Sequence, residues 1–136
     1  MQPEKQCTVA RSVTLQGQGV HSGAAASLTF LPAEPGSGIR FRRVDLEGAP
    51  EIPADLDHVV ATDLGTTLGE GEARVLTVEH LMAALMASGV DNVVVEIDGQ
   101  EIPIRDGSFK DYATVLADAG LEPQDAEPRR LKLHGP

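Results

Sequence analysis

Glu79 and His80 stand side by side in the stretch TVEHLMAAL, residues 77–85. A carboxylate and an imidazole at the start of a helix are residue types used in metal-assisted hydrolysis. The imidazole donates a lone pair to the metal, and the carboxylate takes a proton from the polarised water. A catalytic zinc site asks for three protein ligands and a water. The helical zinc signature sets two histidines four residues apart with glutamate after the first. Here glutamate comes first, and the position four after His80 is Ala84. One helix therefore offers one imidazole. The other histidines, His21, His58 and His134, are far apart in sequence; His21 lies in the loop GQGVHSG, but no spacing compels it towards His80. The pattern leaves His80 either as a ligand or as a packed or solvent-facing histidine. A helix N-terminus favours the carboxylate and disfavours imidazole protonation, leaving the lone pair available. Ala83, Ala84 and Ala87 leave the helix surface low around it.

Other chemistries fit less well. GQGVHSG lacks the lysine and following Ser/Thr of a phosphate-binding loop and reads as a turn. Cys7 is the single cysteine, so no internal disulfide forms, and no paired base marks it as a nucleophile. Ser108 follows the Asp106-Gly107 turn without a Gly-x-Ser-x-Gly elbow and reads as a helix cap. The formal charge of -10, with 21 acidic against 11 basic residues, argues against a nucleic-acid partner and a basic membrane-surface helix. It leaves open brief contact with a lipid-bearing substrate. MQPEKQCTVA shows no signal-peptide pattern, and no run of about 18 apolar residues is present. The expectation is a cytoplasmic protein without stable membrane insertion.

The hydrophobic period shows which strands and helices carry the pair. A chain of 136 residues suits one core, made aliphatic here by the absence of Trp and the presence of one Tyr and three Phe. Val9, Arg11, Val13 and Leu15 alternate as a strand, with GQG at 17–19 turning the chain. Leu28 and Phe30 share one side of a second strand; Ile39, Phe41 and Val44 suggest a third, giving an antiparallel meander. LGTTLG at 64–69 fits a short strand or a loop. A helix fits 78–88, with Thr77 as N-cap, Val78, Leu81 and Leu85 as its packed stripe, and Gly89 as a left-handed C-cap. NVVVEI at 92–97 belongs in mid-sheet. A second helix covers about 109–119, with Phe109, Tyr112, Ala113, Leu116 and Ala119 on its apolar side, and Gly120 ends it. The fold class is α+β: a two-layer α/β sandwich with a mostly antiparallel sheet and both helices on one face.

Taken together, TVEHLMAAL, GVDNVVVEIDGQEIPIRDGS, GQGVHSG, FRRVDL and ATDLGTTLGEGEARVLTVEH resemble the first half of the zinc-dependent UDP-3-O-acyl-N-acetylglucosamine deacetylases of lipid A synthesis. The resemblance runs from about residue 7 to 121. It implies two similar α/β domains facing each other across a zinc-bearing cleft. Glu79 matches the general base and His80 the one zinc ligand from the first domain. The other His and Asp ligands belong to the second domain, as does the His that assists the tetrahedral intermediate. The reaction implied is removal of the acetyl group from the 2-amino position of a UDP-linked, 3-O-acylated glucosamine. His21, Leu64, Gly65 and Thr66 fall in loops matching those over the site.

The sequence departs from that pattern where the second domain would begin. Residues 1–6 read as an N-terminal extension, 7–121 as the family's first domain, and 122–136 as an acidic linker and a truncated final strand. The stretch that carries the remaining ligands is absent. Gly65 replaces a common cysteine, and Met82 and Arg105 also depart from the usual residues. The expectation is a domain that does not deacetylate as an isolated monomer, needs no cofactor alone, and binds a partner or regulates. Candidate partners are a second copy, a full-length deacetylase, a second-domain chain and a UDP-sugar lipid precursor. The alternative is a deacetylase active only as a dimer or with a second-domain chain, with Zn2+ bound once the site is completed.

Overall fold

A computed structural model describes residues 5–19, 22–62, 65–104 and 109–124 of the chain. In chain order it contains β1 (Cys7–Val9), β2 (Val13–Gly19), β3 (Ala25–Pro32), β4 (Ile39–Arg43), β5 (Glu51–Pro53), β6 (Val59–Ala61), β7 (Thr67–Glu70) and β8 (Ala73–Leu76). Then come α1 (Glu79–Ala87), β9 (Val93–Ile97), β10 (Pro103–Ile104), α2 (Phe109–Ala119) and β11 (Leu121–Pro123). The architecture is α+β and mostly antiparallel, as the periodicity predicts. Among the described residues no helix is long and apolar enough to cross a membrane.

The main sheet has the order β10-β2-β3-β9-β4-β5. β9 lies antiparallel to β3 and parallel to β4, so the expected meander from β2 through β4 is interrupted. The reason is burial on both sides. Val93, Val95 and Ile97 are fully buried on one face and Val94 is half-buried on the other, which suits a central position. The register aligns Val13, Phe30, Val95, Phe41 and Ile52 across the inner face. On the outer face the same rungs align Thr14, Thr29, Glu96, Arg42 and Glu51. Arg42 bridges Glu51 at 2.8 Å and Glu96 at 3.0 Å, which fastens that face across three strands.

Other expectations change. The expected single sheet is accompanied by a three-stranded sheet, β6-β7-β8, and a pair, β1-β11. LGTTLG resolves in part as β7, which begins at Thr67. The strand read through Val9 and Leu15 breaks at residues 10–12, where the Ala10 N–H bonds the Gly120 carbonyl at 2.9 Å and diverts β1 to β11. Part of the stretch read as a linker is therefore strand, since Glu122 and Pro123 lie in β11. GQG is not a turn but the end of β2; the chain reverses after it, where the Gly19 N–H bonds the Ala24 carbonyl at 2.9 Å. The Asp106-Gly107 turn and the Ser108 cap lie outside the described residues.

Both helices pack on the inner face, as expected. Leu81, Ala84 and Leu85 of α1 and Tyr112, Leu116 and Ala119 of α2 join one core with the sheet. α1 ends as its glycine predicts: Gly89 has φ 81, its N–H bonds Met86, and the Val90 N–H bonds Leu85. The Tyr112 hydroxyl donates to the Pro103 carbonyl, tying α2 to β10, and burial pushes that phenol far above its ordinary range. A buried amide cluster joins the segments beside β1 and β11. Asn92 donates to Gln6 Oε1 and Gln124 Oε1, each at 2.8 Å, and accepts from the Gly38 N–H at 2.9 Å.

At the edge of the small sheet, the His58 ring lies between Asp55 Oδ1 at 2.5 Å and Glu70 Oε1 at 2.7 Å. Contact with a carboxylate at both nitrogens favours the imidazolium. Hydrogen bonding to Asp55, then Glu70, raises His58 above 6.5, and bonding to His58 lowers Asp55 below 3.8.

Two tests follow from these bonds. Asn92→Ala removes a fully buried amide and is expected to cost about 1–3 kcal/mol in urea unfolding, because its partners stay buried. The raised His58 value makes the clasp fully stabilising below 6.5 and loses that contribution as pH rises through the folded-state value. The lowered Asp55 value removes the partner charge only as pH falls below 3.8. Thermal unfolding of His58→Gln should therefore fall below the wild type most between about pH 4 and 6.5 and converge with it in alkali.

Candidate functional site

The site starts with a reversal between β8 and α1. Thr77 does not cap the helix as the sequence predicts. Its backbone takes φ 64, and Val78, with φ -87 and ψ -9, stands before the first helical residue without a side-chain cap. A β-branched residue in the left-handed region carries a cost of roughly 1–3 kcal/mol and persists only where its surroundings fix it. Here the Thr66 carbonyl accepts from the Thr77 N–H at 2.9 Å and the Val78 N–H at 3.2 Å. The hydroxyl that would have capped the helix donates instead to Glu101 Oε2 at 3.2 Å.

The reversal turns the Glu79 carboxylate back under the preceding loop. Glu79 Oε1 accepts the Thr66 N–H at 2.9 Å, so residue 66 binds the helix start in both directions. Gly65 makes this approach feasible. It has φ 97, and a Cβ there would lie 2.7 Å from Glu79 Oε2. The half-buried Glu79 is thus fixed at one oxygen, a geometry suited to a positioned proton acceptor.

His80, next along the helix, is exposed. Ala83 and Ala87 lie on its open side, whereas Ala84 turns inward with Leu81 and Leu85, so only two of the three alanines lower the surface around His80. Of the loop residues singled out by sequence, Gly65 and Thr66 meet Glu79, while His21 and Leu64 lie outside the described residues. His58 is held by Asp55 and Glu70 in its own clasp, and His134 lies outside the described residues. Among the described residues no three His, Cys, Asp or Glu side chains gather to hold a metal ion. These residues alone do not fit a zinc centre.

Sequence reasoning missed Glu101. Its side chain is 4% exposed, and besides the Thr77 hydroxyl it accepts the Ser22 N–H at 2.8 Å on Oε1. The signal was available: an acid inside an extended apolar piece must find donors or remain in water. Backbone bonds from Leu76 to Gln100 at 2.8 Å and from Ile102 to Leu76 at 3.0 Å bring residues 100–102 alongside β8.

Comparison with known proteins adds to this geometry. The family model described as LpxC: UDP-3-O-acyl N-acetylglycosamine deacetylase matches residues 6–136. A UDP-3-O-acyl-N-acetylglucosamine deacetylase of Myxococcus xanthus is 51% identical over 126 residues, covering 93% of this chain and 40% of the relative. That of Brucella ovis is 47% identical over 128 residues, covering 94% of this chain and 45% of the relative. The chain thus spans less than half the length of these curated relatives.

Gly65→Ala should dislodge the Glu79 carboxylate from Thr66, since the new methyl occupies its place and the backbone disfavours it. Exchange of the Thr66 amide is expected to rise roughly tenfold, the scale of one lost hydrogen bond. An unchanged rate would show that Gly65 does not control this contact.

Proposed function

Because the chain belongs to the UDP-3-O-acyl N-acetylglycosamine deacetylase family, we propose that this domain furnishes one side of a deacetylase site and is non-catalytic by itself. Its role is to bind a complementary domain. The observation that carries this reading is the Glu79 carboxylate held by the Thr66 N–H beside an exposed His80, with no third ligand gathered among the described residues. A fixed carboxylate can accept a proton, and an exposed imidazole can donate a lone pair outward. Neither group supplies the remaining ligands.

The complement would come from a continuing chain, a second-domain chain, a full-length deacetylase or a second copy of this one. Zinc, bound once the ligand set is complete, would polarise the substrate carbonyl and acidify water. In the completed site Glu79 serves as the general base and His80 as the ligand from this side. The substrate is a UDP-linked, 3-O-acylated N-acetylglucosamine of lipid A synthesis, losing acetate from its 2-amino group. The encounter with that lipid-bearing precursor would take place in the cytoplasm, as a brief contact rather than stable membrane insertion.

The test is acetate release by the purified 136-residue chain, alone and mixed with a second-domain chain. The chain alone should show no turnover. The mixture should bind, and any turnover it gains should fall by roughly 10²–10⁴-fold in Glu79→Ala, the range for loss of a general base. Metal-dependent turnover by the monomer would overturn the proposal, as would failure to bind any complementary domain. A stable complex without turnover would support the binding role over the catalytic alternative.

A further inference from the structure

The turn before α1 contains an unfavourable choice. At φ 64 glycine or asparagine would relieve the backbone, yet the position holds a β-branched threonine. What threonine adds is a hydroxyl, and that hydroxyl reaches the buried Glu101. The other carboxylate oxygen accepts the Ser22 N–H, 79 residues away in sequence. Gly19 is adapted to the same group. A Cβ there would lie 2.2 Å from Glu101 Oε1 and 2.8 Å from Ser22 Oγ, so the carboxylate occupies the space of a side chain. One buried side chain thus couples the end of β2 to the residue that sets the direction of α1.

We propose that Glu101 is a positioning residue that aims Glu79 by holding Thr77 in its left-handed turn. It acts through the Thr77 hydroxyl and the backbone. Thr77 directs its N–H, with that of Val78, onto the Thr66 carbonyl, and the Thr66 N–H then holds Glu79. Without the Glu101 bond the strained threonine is free to relax towards an extended or helical backbone. Relaxation moves both N–H groups off Thr66 and releases the Glu79 carboxylate. The effect is on aim rather than on charge. Its meaning for catalysis rests on the reading of Glu79 as the base; the structural coupling does not.

The experiment compares amide exchange in the wild type, Thr77→Val, Thr77→Ser and Gly19→Ala, with the Val95 amide reporting on the central sheet. Thr77→Val removes the hydroxyl at nearly constant shape. Gly19→Ala displaces Glu101 without altering Thr77 or Glu79. Both should speed exchange at Thr66 roughly tenfold while Val95 stays protected, and Thr77→Ser should restore the wild-type rate. A Thr66 rate within about twofold of the wild type in Thr77→Val, with Val95 protected, would overturn the proposal. Should Gly19→Ala fail to fold, Thr77→Val alone decides. In a mixture with a second-domain chain that shows turnover, Thr77→Val should lower kcat roughly tenfold with KM unchanged, and an unchanged kcat would count against the role in catalysis. A wild-type mixture without turnover rejects the catalytic reading of Glu79, and the exchange result still decides for or against Glu101.

Discussion

Thr77 keeps its backbone at φ 64, where a β-branched residue is strained, because three bonds leave it no alternative. Its N–H and that of Val78 meet one carbonyl, and its hydroxyl meets a buried carboxylate. The candidate site depends on that turn. With an ordinary capped start, the hydroxyl of Thr77 would bond the first helical turn, and the loop at 65–66 would lose its hold on Glu79. The turn thus exchanges a local helix cap for a tie between segments remote in sequence.

The scaffold makes such a turn tolerable. β9 is locked between β3 and β4, with apolar rungs inside and an Arg42-centred ion network outside. The side chains of Leu81, Ala84 and Leu85 anchor α1 on that sheet, which fixes the axis along which Glu79 and His80 project. Opposite sides of the same helix turn then face different environments. Leu81 enters the core, Glu79 lies under a loop, and His80 stands in the open.

Much of this is legible in sequence, and the failures share a cause. The stripe of α1, its Gly89 cap, the central β9 and the single-face packing of both helices follow from period and residue type. Thr77 was misread because a threonine before a helix is ordinarily a cap, and only the tertiary position of Glu101 redirects its hydroxyl. GQG was misread as a turn because its glycines signal conformational freedom, whereas Gly19 serves close approach by a carboxylate. The meander was misread because pairing between β4 and β9 spans a long stretch of chain that no local pattern encodes. For the site, Glu79 and His80 are visible as adjacent letters. Their opposite exposures, and the residues that cause them, are not.

On the proposed function, this domain is half of a metal-dependent centre, with Glu79 held by the Thr66 N–H and His80 exposed beside it. The most direct test is a zinc titration followed at the His80 ring by NMR, first with the chain alone and then with a second-domain chain added. The proposed function requires no stoichiometric zinc in the chain alone, and stoichiometric zinc with a shifted His80 ring once the complement is present. Stoichiometric zinc held by His80 in the monomer would contradict it.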